Sequence, residues 1–143
     1  MAQRRPNRVP GAEHDEFWSW CDQGELRLQR CGDCAHISWP PAPACEKCAS
    51  ANLSWEEMSG NGRLVSWCRF QRPYYGDLLE VPWTTIVVEL DEGPLFISNP
   101  VDVDYDDLSS GMPVGLDFLD CEDDAGPFRL PVFGRARPGA GAS

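Results

Sequence analysis

Cys31-Gly-Asp-Cys34 and Cys45-Glu-Lys-Cys48, separated by ten residues, decide how the rest of this chain is read. Four thiolates are enough to close a tetrahedral shell around one Zn²⁺. The two-residue spacing inside each pair lets neighbouring backbone N–H groups point at sulfur. Between the pairs, Trp39-Pro40-Pro41-Ala42-Pro43 is a stiff connector that presents the second knuckle to the first. Four sulfurs leave no open position for water or substrate, so the zinc expected on Cys31, Cys34, Cys45 and Cys48 is structural and not catalytic. Disulfides suit an oxidising compartment, and a thioredoxin-like use of the same spacing needs βαβ surroundings that are missing here. His36 follows Cys34 by two residues but meets a full shell, so it reads as a surface residue of the ribbon.

Outward from the knuckles, residues 26–29, 37–39 and 53–58 carry strand-like patterns and complete a small zinc ribbon. Upstream, Phe17, Trp18, Trp20 and Cys21 recur at helical spacing over 13–23, and Gly24 stands where a helix stops. So short a helix cannot bury two tryptophans by itself, which leaves the rest of the chain or a partner to cover them. Downstream, Gly60-Asn61-Gly62 predicts a tight turn and a module boundary. Strands are then expected over 63–70, 83–90, 95–98, 114–120 and 128–132, with Asp91-Glu92-Gly93 as a hairpin turn. Five short strands without an intervening long helix fit a Greek-key barrel of the OB type. The expected fold is therefore mainly β. A flexible N-terminus over 1–12 leads to a helix plus rubredoxin-like ribbon over 13–59, a five-stranded barrel over 60–133 and a disordered tail over 134–143.

The charge narrows the function classes. Twelve basic against 23 acidic residues give −11, which repels polyphosphate backbones and disfavours general nucleic-acid binding, although OB barrels with ribbons often bind single strands. All the basic residues but Lys47 are Arg, so a local anion site remains open. No stretch approaches the roughly 20 apolar residues of a membrane span, and no apolar run follows the N-terminal arginines. The expected location is the cytoplasm.

Recognisable catalytic machinery is missing: GxSxG, HExxH, GxxxxGK[ST] and GxGxxG do not occur. Cys21, Cys68 and Cys121 are the remaining thiols, each in an apolar context without a His close in sequence, and read as buried structural residues. Asp102, Asp104 and Asp106 alternate as in a calcium loop, yet Asp107 stands where Gly is needed and Pro113 where a bidentate Glu is needed; Asp120, Glu122 and Asp124 fail in the same way. The connection after the first barrel strand is more informative. It places Arg69 and Arg72 beside Phe70, Tyr74 and Tyr75, a set able to hold phosphate and stack on an adenine ring, or simply an aromatic loop over the barrel.

Taken together, Phe17-Trp18, Gly24-Glu25-Leu26, the run from Gln29 to Cys34, Pro40-Pro41, Cys45 to Cys48, Gly60-Asn61-Gly62, Val88 to Gly93, Gly111-Met112-Pro113-Val114 and Pro131-Val132-Phe133 resemble the acyl-CoA-associated family in which a helix precedes a zinc ribbon and an OB barrel. The resemblance spans 13–133. It implies a non-catalytic accessory subunit that docks on a thiolase-fold enzyme, such as a thiolase, a lipid-transfer-type aldolase or an acyltransferase, and helps form its acyl-CoA site. A MaoC-type enoyl-CoA hydratase is the other partner class it implies. Such systems act on sterol side chains, aromatic acids and polyketide-like products. The expectations are a hetero-oligomer, CoA or acyl-CoA as ligand beside the zinc, and no catalytic residue on this chain. Arg69, Arg72, Tyr74 and Tyr75 are the residues expected to contact CoA, on the chemistry of their side chains and not from the resemblance. A thiol enzyme built on Cys68 or Cys121 is the competing reading.

Overall fold

A computed structural model describes residues 3–72 and 82–136. Eleven elements run in the order β1 (Gln3–Arg4), α1 (Ala12–Asp22), β2 (Arg27–Cys31), β3 (Ile37–Ser38), β4 (Leu53–Glu57), β5 (Asn61–Phe70), β6 (Trp83–Leu90), β7 (Leu95–Ser98), a short 3₁₀ turn (Tyr105–Asp107), β8 (Pro113–Asp123) and β9 (Gly126–Arg135). The fold is mainly β, as the alternating sequence pattern requires, with one α-helix among the described residues.

The ribbon is a three-stranded antiparallel sheet in the order β3-β2-β4. The second sheet runs β1-β8-β5-β6-β7, with β9 on the other side of β8. Its curl brings β7 back towards β9: Phe133 N–H donates to the Asn99 carbonyl, Val101 N–H to the Phe133 carbonyl, and the Ser98 hydroxyl to the Pro131 carbonyl at 2.9 Å. Closure rests on one isolated bridge, Pro100 to Phe133, so the OB fold lacks the continuous ladder of a fully closed barrel.

Ribbon and barrel share one core, because α1 lies against both. Phe17, 1% exposed, meets Trp39 of the ribbon at 4.5 Å and Phe96 of the barrel at 6.5 Å between ring centroids. Leu26 and Leu28 from the ribbon, Cys21 from α1, and Leu64, Ile86, Val88, Leu90, Val114 and Phe133 from the barrel belong to the same cluster. Each fully buried Leu or Phe contributes about 1.5–3 kcal/mol relative to exposure, so the cluster holds the two sheets as one body. Both helix tryptophans are engaged within the chain. Trp18 packs edge-on against Phe128 at 5.2 Å, and the Arg27 guanidinium sits 4.3 Å over the Trp20 ring.

Three sequence expectations need correction. The N-terminal segment is tied down where it is described: β1 pairs in parallel with Cys121 and Glu122 of β8, and Arg8 docks on Asp123. The reason is charge, since arginines at one end meet the acidic tip of the β8–β9 hairpin. At the other end β9 continues through Gly134 and Arg135, opposite Gly115 and Val114, so the first residues assigned to a disordered tail belong to the sheet; residues 137–143 lie outside the described residues. Finally, only Gly60, at φ +86°, makes the bend expected over 60–62. Asn61 and Gly62 already pair in β5, and a Cβ on Gly62 would sit 2.6 Å from the Glu89 carbonyl oxygen, so that glycine serves close strand approach.

Candidate functional site

Each knuckle is built in the same way. Cys31 N–H donates to the His36 carbonyl and Ala35 N–H returns to the Cys31 carbonyl; in the second knuckle Cys45 N–H donates to the Ser50 carbonyl and Ala49 N–H to the Cys45 carbonyl. Ala35 and Ala49 occupy the left-handed region at φ 66° and 64°, turning the chain sharply after the second cysteine of each pair. Amides are thereby aimed at sulfur: Asp33 N–H at Cys31 Sγ and Lys47 N–H at Cys45 Sγ, both at 3.4 Å. Bonds from the Cys34 and Asp33 amides bring the Cys31 thiol down to about 6, so it ionises readily. The corresponding amides of Cys48 and Lys47 lower Cys45 as well.

The four Sγ atoms lie within 4.8 Å of one another, with Cys31–Cys48 and Cys34–Cys45 both at 3.6 Å. Zinc–sulfur bonds of about 2.3 Å in a tetrahedron put the sulfurs roughly 3.7 Å apart, so the donor set fits Zn²⁺ and fills its shell. The structure brings together the four cysteines that their spacing singles out, in a cluster able to hold a structural Zn²⁺. His36 stays outside the shell, its Nε2 2.8 Å from Glu46 Oε1, and Ser50 donates to Asp33 at the knuckle rim. A buried amide supports the connector: Gln29 donates to the Ala42 carbonyl and accepts from the Ala42 N–H, both at 2.9 Å. Nothing in the sequence pattern marked Gln29, since a lone Gln in a strand carries no signal until the chain it braces is located.

Of the expected CoA contacts, Arg69 and Arg72 fall within the described residues. Arg69 is exposed on β5 and sits 4.6 Å over the Tyr105 ring, while Arg72 follows the strand end, exposed. Tyr74 and Tyr75 lie outside the described residues. Next to Arg69, Phe70 stacks on Trp83 at 4.4 Å with a 14° interplanar angle.

Among the remaining thiols, Cys21 and Cys121 are fully buried as expected. Burial pushes Cys21 up to about 12 and raises Cys121, leaving neither a thiolate near neutral pH. Cys68 departs from the expectation: it is exposed, because β5 turns that position to the outer face of the sheet.

Sequence reasoning also missed the strap. Asp123, whose side chain is 1% exposed, accepts bonds from Arg8 N–H (3.0 Å), Nε (2.8 Å) and Nη2 (3.1 Å), and from Ala125 N–H (2.9 Å). Arg8 holds its carboxyl well below the usual carboxylate range. The same guanidinium lies 4.3 Å over Phe128 and 5.8 Å from the Trp18 ring. Opposite charge at the two ends of the chain was the available signal.

Two family models fit consecutive stretches: residues 18–54 match the ChsH2 rubredoxin-like zinc ribbon domain, and residues 55–119 match the ChsH2 C-terminal OB-fold domain. A solved structure described as the Ltp2-ChsH2(DUF35) aldolase superposes with a TM-score of 0.78 at 32% identity, covering 93% of this chain and all of that one. The chain belongs to the ChsH2-type (DUF35) zinc-ribbon and OB-fold family. Similar proteins include a probable enoyl-CoA hydratase alpha subunit of Thermomonospora curvata, 31% identical over 134 residues, or 94% of this chain and 41% of that protein. A DUF35 domain-containing scaffold protein of Pyrococcus furiosus is 31% identical over 81 residues, 57% of this chain and 60% of that one. The chain thus spans less than two thirds of either relative's length. Membership in DUF35 accounts for the order of helix, ribbon and barrel; no helix among the described residues is long and apolar enough to cross a membrane.

Proposed function

We propose that this chain is a non-catalytic accessory subunit that binds and stabilises a thiolase-fold acyl-CoA enzyme and helps to form its acyl-CoA site. The observation that carries this reading is the likeness, over 93% of this chain, to the chain described as the Ltp2-ChsH2(DUF35) aldolase. Chemistry supports it from the other side. The four knuckle thiols form the zinc-binding cluster, and two of the other three are buried and protonated near neutral pH. The reaction then belongs to the partner, whether thiolase, retro-aldolase or acyltransferase. Arg69 and Arg72, with Tyr74 and Tyr75, are the proposed contacts to CoA; the Tyr105 ring under Arg69 would hold its guanidinium ready for phosphate.

The hydratase alpha subunit of Thermomonospora curvata favours a second reading, in which the partner is a MaoC-type enoyl-CoA hydratase. Co-expression of the tagged chain with a candidate thiolase-fold or hydratase-fold subunit tests both. The expected result is a stable hetero-oligomer with acyl-CoA turnover, and no turnover by the zinc-loaded chain alone. Arg69→Ala with Arg72→Ala is expected to raise KM for acyl-CoA with little change in kcat. Failure to retain either class of enzyme subunit, or turnover by the chain unaided, refutes the proposal.

A further inference from the structure

Val65, Leu95 and Ile97 are 44%, 53% and 62% exposed, and they share the outer face of three neighbouring strands. Val87 links them, pairing with Ile97 on one side and with Ser66, next to Val65, on the other. Isolated exposed hydrophobics are ordinary; a contiguous strip of them marks a contact surface. Ile97 also lines a cleft of about 300 Å³ whose walls include Trp18, Trp39 and Phe96.

We propose that this strip and cleft form the face on which the enzyme subunit docks, seating one apolar side chain in the cleft. The inference rests on the accessory-subunit reading and adds the surface and the partner's chemistry to it. Charge selects the occupant. A second copy would set −11 against −11 and bring the exposed Asp91 of the β6–β7 hairpin, close to Leu95, towards its own kind. A different subunit of net positive charge, presenting a Leu, Met or aromatic anchor, meets both the apolar centre and the −11 of this chain, with Arg5 the one charged residue among the described residues of the cleft wall. A well-filled central pocket is where a docking face concentrates its affinity.

The test uses the full zinc-loaded chain and the acyl-CoA enzyme subunit identified by co-expression, with affinity measured by calorimetry. Ile97→Asp is expected to weaken binding at least tenfold and Ile97→Thr, which keeps the branched β-carbon suited to a strand, several-fold; zinc content and thermal unfolding report that each variant is folded. Val9→Asp, at a residue equally exposed but on the N-terminal strap, is expected to bind as the wild type does. Added salt is expected to weaken the wild-type complex. Unchanged affinity in both folded Ile97 variants overturns the assigned face while the accessory reading stands. A wild-type chain that retains no enzyme subunit removes the accessory reading and this inference together. A wild-type dimer that Ile97→Thr dissolves shows a second copy on the face and overturns the proposed occupant.

Discussion

Replacing Asp123 by Ala is expected to destabilise the folded chain by about 3 kcal/mol, a value that follows from what the carboxylate holds. It accepts four hydrogen bonds, two of them from the Arg8 guanidinium, in a position almost closed to water. Breaking a fully buried ion pair by removing one partner typically costs 3–5 kcal/mol. Arg8 remains 18% exposed and rests on Phe128, so its charge keeps a route to solvent and the lower end applies. The Arg8 and Ala125 amides then lose their acceptor, each worth on the order of 1 kcal/mol. Urea unfolding at pH 7 measures the loss, and a cycle with Arg8→Ala isolates the pair, with a coupling of about 1–3 kcal/mol expected. The pH dependence carries a definite sign. Because the folded carboxyl titrates below its unfolded value near 3.9, the contribution is fully present above about pH 5 and fades as acid takes the pH below that. Asp123→Asn should flatten that acid limb while leaving the slope between pH 6 and 8 unchanged. A loss under about 0.5 kcal/mol in zinc-loaded Asp123→Ala would refute the argument that the strap is anchored here.

Metal analysis of the purified chain should find one zinc, and Cys31→Ser or a strong chelator should melt the ribbon and expose Trp39, read as a shift in tryptophan fluorescence; a fully folded, metal-free chain would defeat the four-thiolate site. Gly62→Ala should destabilise by about 1–3 kcal/mol, because the added methyl meets the Glu89 carbonyl and Val88; a neutral effect in denaturant unfolding would show that β5 and β6 can part without penalty. Ala35→Gly should raise the melting temperature by a few degrees, since a left-handed alanine costs about 1 kcal/mol that glycine avoids; a lowered melting point at full zinc occupancy would contradict the knuckle geometry.

What was legible in the sequence was whatever is encoded locally. Cysteine spacing names the metal ligands because a knuckle is a four-residue object. The run of β-branched and aromatic residues over 83–90 marks β6 because such side chains suit a half-buried pleated surface. The long-range pairings were not encoded that way. Nothing near Arg8 in sequence announces that its carboxylate is Asp123, and 114 residues lie between them. Cys68 was read as buried because its neighbours are apolar; the bulge between Leu64 and Ser66 changes the phase of β5, and position 68 turns outward. Local apolarity cannot reveal a phase shift set by pairing with β6.

The same distinction separates the zinc from the docking face in functional terms. A closed thiolate site acts on the rest of the molecule only through what it makes rigid. The chain of contacts is short: the knuckles fix β2 and the connector, Trp39 in that connector packs on Phe17 and Phe96, and Trp39 and Phe96 line the cleft beside Ile97. Zinc therefore shapes the proposed docking surface without touching a partner or a substrate. Loss of the metal and loss of Ile97 should both weaken assembly, but by different routes. Removing zinc loosens the cleft walls and lowers stability before binding is measured, whereas Ile97→Thr leaves stability nearly intact and removes only the contact. A metal-depleted chain that still bound its enzyme subunit at full affinity would show that the ribbon and the docking face are independent.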